Sequence, residues 1–133
     1  MSIPSRTISE LCSVKIGDAK TSEELKPLAE KITAEHFPGC HVAGYGLFLL
    51  EPGQEHPAHQ DIQPLEWVTR IHVPIVTNEL ATATDEFGTI HMAVGKAYTF
   101  DTRKTHSVVN AGTTPRVHFV FEVHDGVGQG HPV

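Results

Sequence analysis

Three side chains in this sequence could converge on one ion. His59 and Asp61 stand two apart in His59-Gln60-Asp61, a little beyond the turn signal Pro52-Gly53. In an extended segment such residues point to the same side with Cα atoms about 6.7 Å apart, so an imidazole and a carboxylate can meet on a metal. Taken alone, the pair is commonplace in polar loops. His106 adds a third ligand, after Phe100-Asp101 and ahead of Ser107-Val108-Val109-Asn110. Two imidazoles and a carboxylate on one side of a metal leave three positions open, the facial arrangement of non-haem Fe(II) oxygenases. Arg116 follows ten residues after His106, on what should be the next strand of a tight meander. A guanidinium fork grips a carboxylate through two hydrogen bonds, so a dicarboxylate could chelate the metal at one end and meet Arg116 at the other.

Such ligands need stiff strands to hold them, and the sequence supplies strands. Beyond Pro38-Gly39 it runs in short β-branched and aromatic segments punctuated at Pro52-Gly53, Gly88, Gly95 and Ala111-Gly112. The expected strands are His41–Leu50, His56–Asp61, Trp67–Thr77, Thr89–Val94, Ala97–Asp101, His106–Asn110 and Arg116–His124, with one more near Cys12–Ile16. Leu80–Phe87 reads as a loop. Seven or eight strands with short links fit a double-sheet jelly roll, a cupin-like double-stranded β-helix. One helix is expected, from Thr21 or Ser22 to about His36, with acidic residues in its first turn, Leu25, Leu28 and Ile32 at helical spacing, and Pro27 early.

Two strands share a pattern. Arg70-Ile71-His72-Val73 and Arg116-Val117-His118-Phe119 both read Arg, apolar, His, apolar, so period 2 puts the Arg and His on one face. By default that face meets water, while Ile71, Val73, Ile75, Val117, Phe119 and Phe121 face the core; an anionic ligand nearby would reverse the preference. Trp67 reads first as an ordinary core or surface aromatic, and His36, His41, His56, His91, His124 and His131 as surface or hydrogen-bonded histidines.

At 133 residues the chain is expected to be one domain: residues 1–40 a strand and helix, 41–124 the β core, and 125–133 a loose Gly-rich tail. About two-thirds of its surface could be buried on folding, enough for one core without disulfides. With 16 acidic against 10 basic residues its formal charge is -6, which opposes binding to nucleic acid or an anionic membrane. Cys12 and Cys40 are too few and too far apart for a disulfide framework, and no apolar run reaches membrane-spanning length. A cytoplasmic protein with a small-molecule or peptide substrate is the expectation.

The stretches His59-Gln60-Asp61 to Asn78 and Gly88 to Val123 resemble the aspartyl/asparaginyl β-hydroxylase family, closest in motif to its bacterial free-proline cis-hydroxylase branch. The resemblance spans roughly Leu47 to Val123 and implies a double-stranded β-helix, with Fe(II) and O2 as cofactors and 2-oxoglutarate as cosubstrate. It implies His59, Asp61 and His106 as iron ligands and the catalytic centre, and Arg116 as the residue holding the distal carboxylate of 2-oxoglutarate. Arg70 and His72 match an RxH strand that in some members also helps bind the cosubstrate. The peptidyl hydroxylases carry glycine where Asp61 stands, so the full triad sides with the free amino acid branch. The implied activity is hydroxylation of an unactivated C–H bond of an amino acid, peptide side chain or related small molecule. Two other readings stay open: a non-catalytic cupin-like binding or assembly module, and a metal-dependent cupin enzyme that does not use 2-oxoglutarate.

Overall fold

In the computed structural model, which describes residues 6–125, the chain order is β1 (Ile8–Ser13), α1 (Ser22–His36), β2 (Cys40–Leu50), β3 (Glu55–His59), β4 (Trp67–Val76), β5 (Ala81–Asp85), β6 (Gly88–Ile90), β7 (Lys96–Phe100), β8 (His106–Asn110) and β9 (Arg116–Asp125). Thr21 caps α1: its extended backbone lets Oγ1 accept the Glu24 N–H at 3.1 Å, satisfying one of the donors a helix start leaves open. Leu25, Ala29 and Ile32 form one stripe of the helix and pack on Ile71, Val73, Phe119, Phe121 and Val123. Residues 126–133, most of the expected tail, lie outside the described residues; Asp125 itself ends β9.

The strands form two antiparallel sheets, a five-stranded one in the order β1-β7-β4-β9-β2 and a four-stranded one in the order β3-β8-β5-β6. Crossing between sheets at nearly every link gives the jelly roll. At the β2–β3 corner Gly53 takes φ 85°, where a side chain would be strained, and its N–H bonds to Asn110 O at 2.7 Å. Asn110, fully buried, donates from Nδ2 to the carbonyls of Leu50 and Thr114 and so ties together the ends of β2, β8 and the loop before β9.

Three expectations need correcting. Residues 81–85, expected in a loop, form β5, paired with both β6 and β8. Its sequence Ala-Thr-Ala-Thr-Asp is too small and weakly apolar to announce itself, yet Ala81, Ala83 and Asp85 are buried by the sheet opposite. The strand expected over Thr89–Val94 shrinks to β6, because pairing with β5 reaches only Gly88 to Ile90. The third correction concerns the Arg and His face of β4 and β9, which is not an open solvent face: His72, Arg116 and His118 are buried and Arg70 is partly buried. Helix α1 covers the aliphatic face, and the four-stranded sheet covers the other, so both faces are inside and alternation no longer separates core from solvent.

Candidate metal centre

The register of β3 against β8 sets His59 directly opposite His106, with their ring centroids 4.3 Å apart. β3 ends at His59, so Asp61 is placed by the link that follows and not by the strand pleat: its N–H bonds to the carbonyl of buried Thr102 at 2.8 Å. Gln63 Nε2 donates to Thr102 Oγ1 at 2.9 Å and holds the same link. Asp61 Oδ1 lies 3.4 Å from His59 Nε2, and Oδ2 lies 3.9 Å from His106 Nε2. One ligand atom from each of the three lies within 4.8 Å of the others. Ligands bound at about 2.0–2.2 Å stand about 3 Å apart when cis, so the set needs only slight contraction to hold an ion.

The ring hydrogen bonds fix which nitrogens are available. His59 Nδ1 is 2.7 Å from Pro57 O, and His106 Nδ1 is 2.7 Å from Lys104 O. A carbonyl oxygen can only accept, so each Nδ1 donates, and each Nε2 is left facing Asp61. That is the outer support that metal-ligating histidines characteristically have. His106 lies against the edge of Phe100, and burial lowers its pKa, which favours the neutral, ligating form.

A cavity of about 490 Å³ runs inward from these residues and is also lined by Arg70, His72, Arg116 and Glu122. Arg116 is buried, its Nε has no hydrogen-bond partner among the described residues, and burial pushes its pKa down to about 10. A buried guanidinium with an idle donor fits a ligand that brings a carboxylate. His72 Nδ1 stands 3.0 Å from His118 Nδ1, so one ring donates and the other accepts. Burial, then Arg116, drives both pKa values well below that of a free histidine.

Every residue singled out from the sequence, His59, Asp61, His106, Arg116, Arg70 and His72, lines this cavity or belongs to the three-residue cluster at its end. Arg70 differs from Arg116 in having partners, Glu122 and Asp61. Sequence reasoning missed Glu122, His118, His56 and Gly44. Continuing the period of two from Arg116 through His118 and Val120 would have reached Glu122 on the same face. His56 and Gly44 line the cavity without any local signature. Trp67 is buried away from the cavity lining and donates from Nε1 to Glu122 Oε2 at 2.6 Å.

Two antiparallel sheets folded as a jelly roll, with two histidines and an aspartate grouped at one end, define a cupin-like protein. Within that class the chain belongs to the aspartyl/asparaginyl β-hydroxylase family, whose model matches residues 18–125. No curated protein sequence matches it. Among solved structures, AviO1 from Streptomyces viridochromogenes Tue57 superposes over 98% of this chain and 77% of its own, with TM-score 0.62 and 17% identity. A nickel complex of the non-heme monooxygenase ThoJ matches 74% of this chain and 50% of its own, with TM-score 0.56 and 18% identity. A predicted oxalate decarboxylase from Thermotoga maritima matches 62% of this chain and 67% of its own, with TM-score 0.50 and 16% identity. The chain thus spans half of ThoJ, and at these identities the likeness is one of fold. No helix among the described residues is long and apolar enough to cross a membrane.

Proposed function

We propose that this protein is an Fe(II)- and 2-oxoglutarate-dependent dioxygenase that hydroxylates an unactivated C–H bond of an amino acid, a peptide side chain or a related small molecule. The observation that carries the reading is the pair of fixed imidazoles, His59 and His106, whose Nδ1 atoms donate to Pro57 and Lys104 and whose Nε2 atoms face the Asp61 carboxylate. In this reading His59, Asp61 and His106 hold the metal. Bound Fe(II) supplies the activation of O2, which no amino acid side chain can provide.

The remaining work belongs to the chain. Arg116 offers its guanidinium to the distal carboxylate of 2-oxoglutarate, in the cavity that His59 and His106 also line. His72, kept neutral by burial, borders that path without adding a second positive charge. Of the residues lining the cavity Phe100 is buried, while His56 and Phe48 are exposed and offer a side from which a substrate can approach. The cavity volume of about 490 Å³ lies in the range of small-molecule sites. A cytoplasmic, reducing setting suits both the ferrous ion and the free thiols Cys12 and Cys40.

The test is an anaerobic titration of the apo protein with Fe(II) and then 2-oxoglutarate, read by the visible charge-transfer band of the chelate. The wild type should give the band, His106→Ala should lose it, and Arg116→Ala should need far more 2-oxoglutarate to reach it. Iron binding without a band would reject the cosubstrate and leave a cupin of other chemistry. No iron binding would reject the metal centre and favour a non-catalytic module.

A further inference from the structure

Arg70 faces the same cavity as Arg116, but its donors are occupied. Its Nε and Nη2 donate to Glu122 Oε1 at 3.1 and 2.8 Å, and its Nη1 reaches Asp61 Oδ2 at 3.4 Å. The register explains the first contact: Arg70 of β4 is paired directly with Glu122 of β9, so their side chains leave the sheet side by side. Glu122 is itself fixed, because its Oε2 accepts the Trp67 Nε1–H at 2.6 Å, and the Arg103 guanidinium lies 4.8 Å over that indole. The result is a chain of contacts from Trp67 through Glu122 and Arg70 to the carboxylate of Asp61.

That carboxylate needs holding. Asp61 lies outside the strands, on a link whose Ile62 and Leu65 side chains stand fully in water, at 100% and 104% exposure. The backbone bond to Thr102 fixes where Asp61 begins but not the rotation of its carboxylate. Arg70 contacts Oδ2, the same oxygen that lies 3.9 Å from His106 Nε2. A lone guanidinium there would compete with a dication for the carboxylate. Glu122 removes that conflict by taking two of the guanidinium donors and balancing its charge, which leaves the aspartate's own negative charge for the metal.

We infer that Arg70, held and neutralised by Glu122, is a positioning residue for the metal-ligating Asp61. The inference rests on the metal centre proposed above and departs from the cosubstrate contact that the family resemblance implies for Arg70. The two roles separate on Glu122. If Arg70 positions Asp61, removing the charge at Glu122 weakens metal binding; if Arg70 serves the cosubstrate, the same change frees it and leaves metal binding untouched.

The experiment measures Fe(II) affinity of the apo protein under anaerobic conditions for the wild type, Glu122→Gln, Arg70→Gln and the double variant, beside the absorption spectrum with Co(II) in place of iron. Supporting residues of metal ligands typically contribute 10–100-fold in affinity, so Glu122→Gln and Arg70→Gln should each weaken Fe(II) binding by about that factor and shift the Co(II) bands. The double variant should be no weaker than Arg70→Gln alone, since the two act through one contact. Glu10→Gln, which loses only an exposed ion pair with Lys96 away from the cavity, should keep wild-type iron affinity. Should Glu122→Gln fail to fold, Arg70→Lys decides: it keeps the charge but cannot reach both carboxylates at once, so its affinity should fall between wild type and Arg70→Gln. Wild-type affinity and Co(II) spectrum in Glu122→Gln, or in Arg70→Lys where that variant decides, would overturn the inference while leaving the metal centre standing. A wild-type protein that binds no Fe(II) would overturn both.

Discussion

Strands β4 and β9 carry two proteins' worth of chemistry on opposite faces. On the face under α1, Ile71, Val73, Phe119 and Phe121 are wholly buried among aliphatic and aromatic neighbours, with no polar atom to satisfy. On the other face, alternating with them residue by residue, stand Arg70, His72, Arg116 and Glu122 around a cavity, with His118 buried against His72. The first face has the makings of a stabilising core. The second holds a buried Arg Nε without a partner among the described residues and two buried histidines sharing one contact, features that cost stability unless a ligand offsets them. Two faces offset by one residue can thus keep folding and chemistry apart on one pair of strands.

The contrast is sharpest where substitution should hurt one face and spare the other. Phe119→Ala, in the core under α1, should lower the unfolding free energy by about 3–5 kcal/mol in urea, the usual cost of deleting a buried phenyl ring. A loss below about 1 kcal/mol would mean the helix-covered face is not the stabilising one. Arg116→Ala should do the reverse. Its stability should be unchanged or higher, since an underpartnered buried charge is removed, while the 2-oxoglutarate concentration for half-maximal chelate band rises about 10- to 100-fold, as expected for losing one charge-assisted contact of about 1.5–3 kcal/mol.

The inner face should also give itself away by pH. His72 and His118 have native pKa values pushed well below the ordinary histidine value by burial. Their contribution is therefore fully present above the unfolded value of about 6.5 and is lost as pH falls below it, because the unfolded chain binds protons that the native one refuses. Apo-protein stability should decline by about 1 kcal/mol per histidine for each pH unit below about 6.5, and His118→Gln should remove part of that slope. An unchanged slope would place the acid sensitivity elsewhere. The smallest effect is expected at Gly44, which lines the cavity from β2 with φ outside the positive range and with no atom within 4 Å of where a Cβ would stand. Gly44→Val should leave the unfolding midpoint within about 1 kcal/mol of wild type, since valine suits a strand; a large loss would show that glycine there serves packing and not room.

How much of this was legible beforehand depends on how local the signal is. The helix start was readable to within one residue, Thr21 or Ser22, because Thr21 and Glu24 settle their hydrogen bonds within one turn. The four candidate residues His59, Asp61, His106 and Arg116 could be singled out because their order and spacing match a known pattern, and the structure places His59, His106 and Arg116 on one cavity with Asp61 beside the two histidines. Strand β5 was not, since its small residues become a buried strand only through pairing with β8. Glu122 was passed over for the same reason: its meaning comes from Arg70, 52 residues away in sequence.

The sequence by itself determined the alternation on β4 and β9, the helix cap and the identity of every polar group at the site, since these depend on residue type and on neighbours a few positions away. Only the tertiary structure decided that both sides of that alternation are covered. With α1 on one face and the second sheet on the other, burial stopped following hydrophobicity, and the polar row that a single sheet would have given to water became the lining of a cavity.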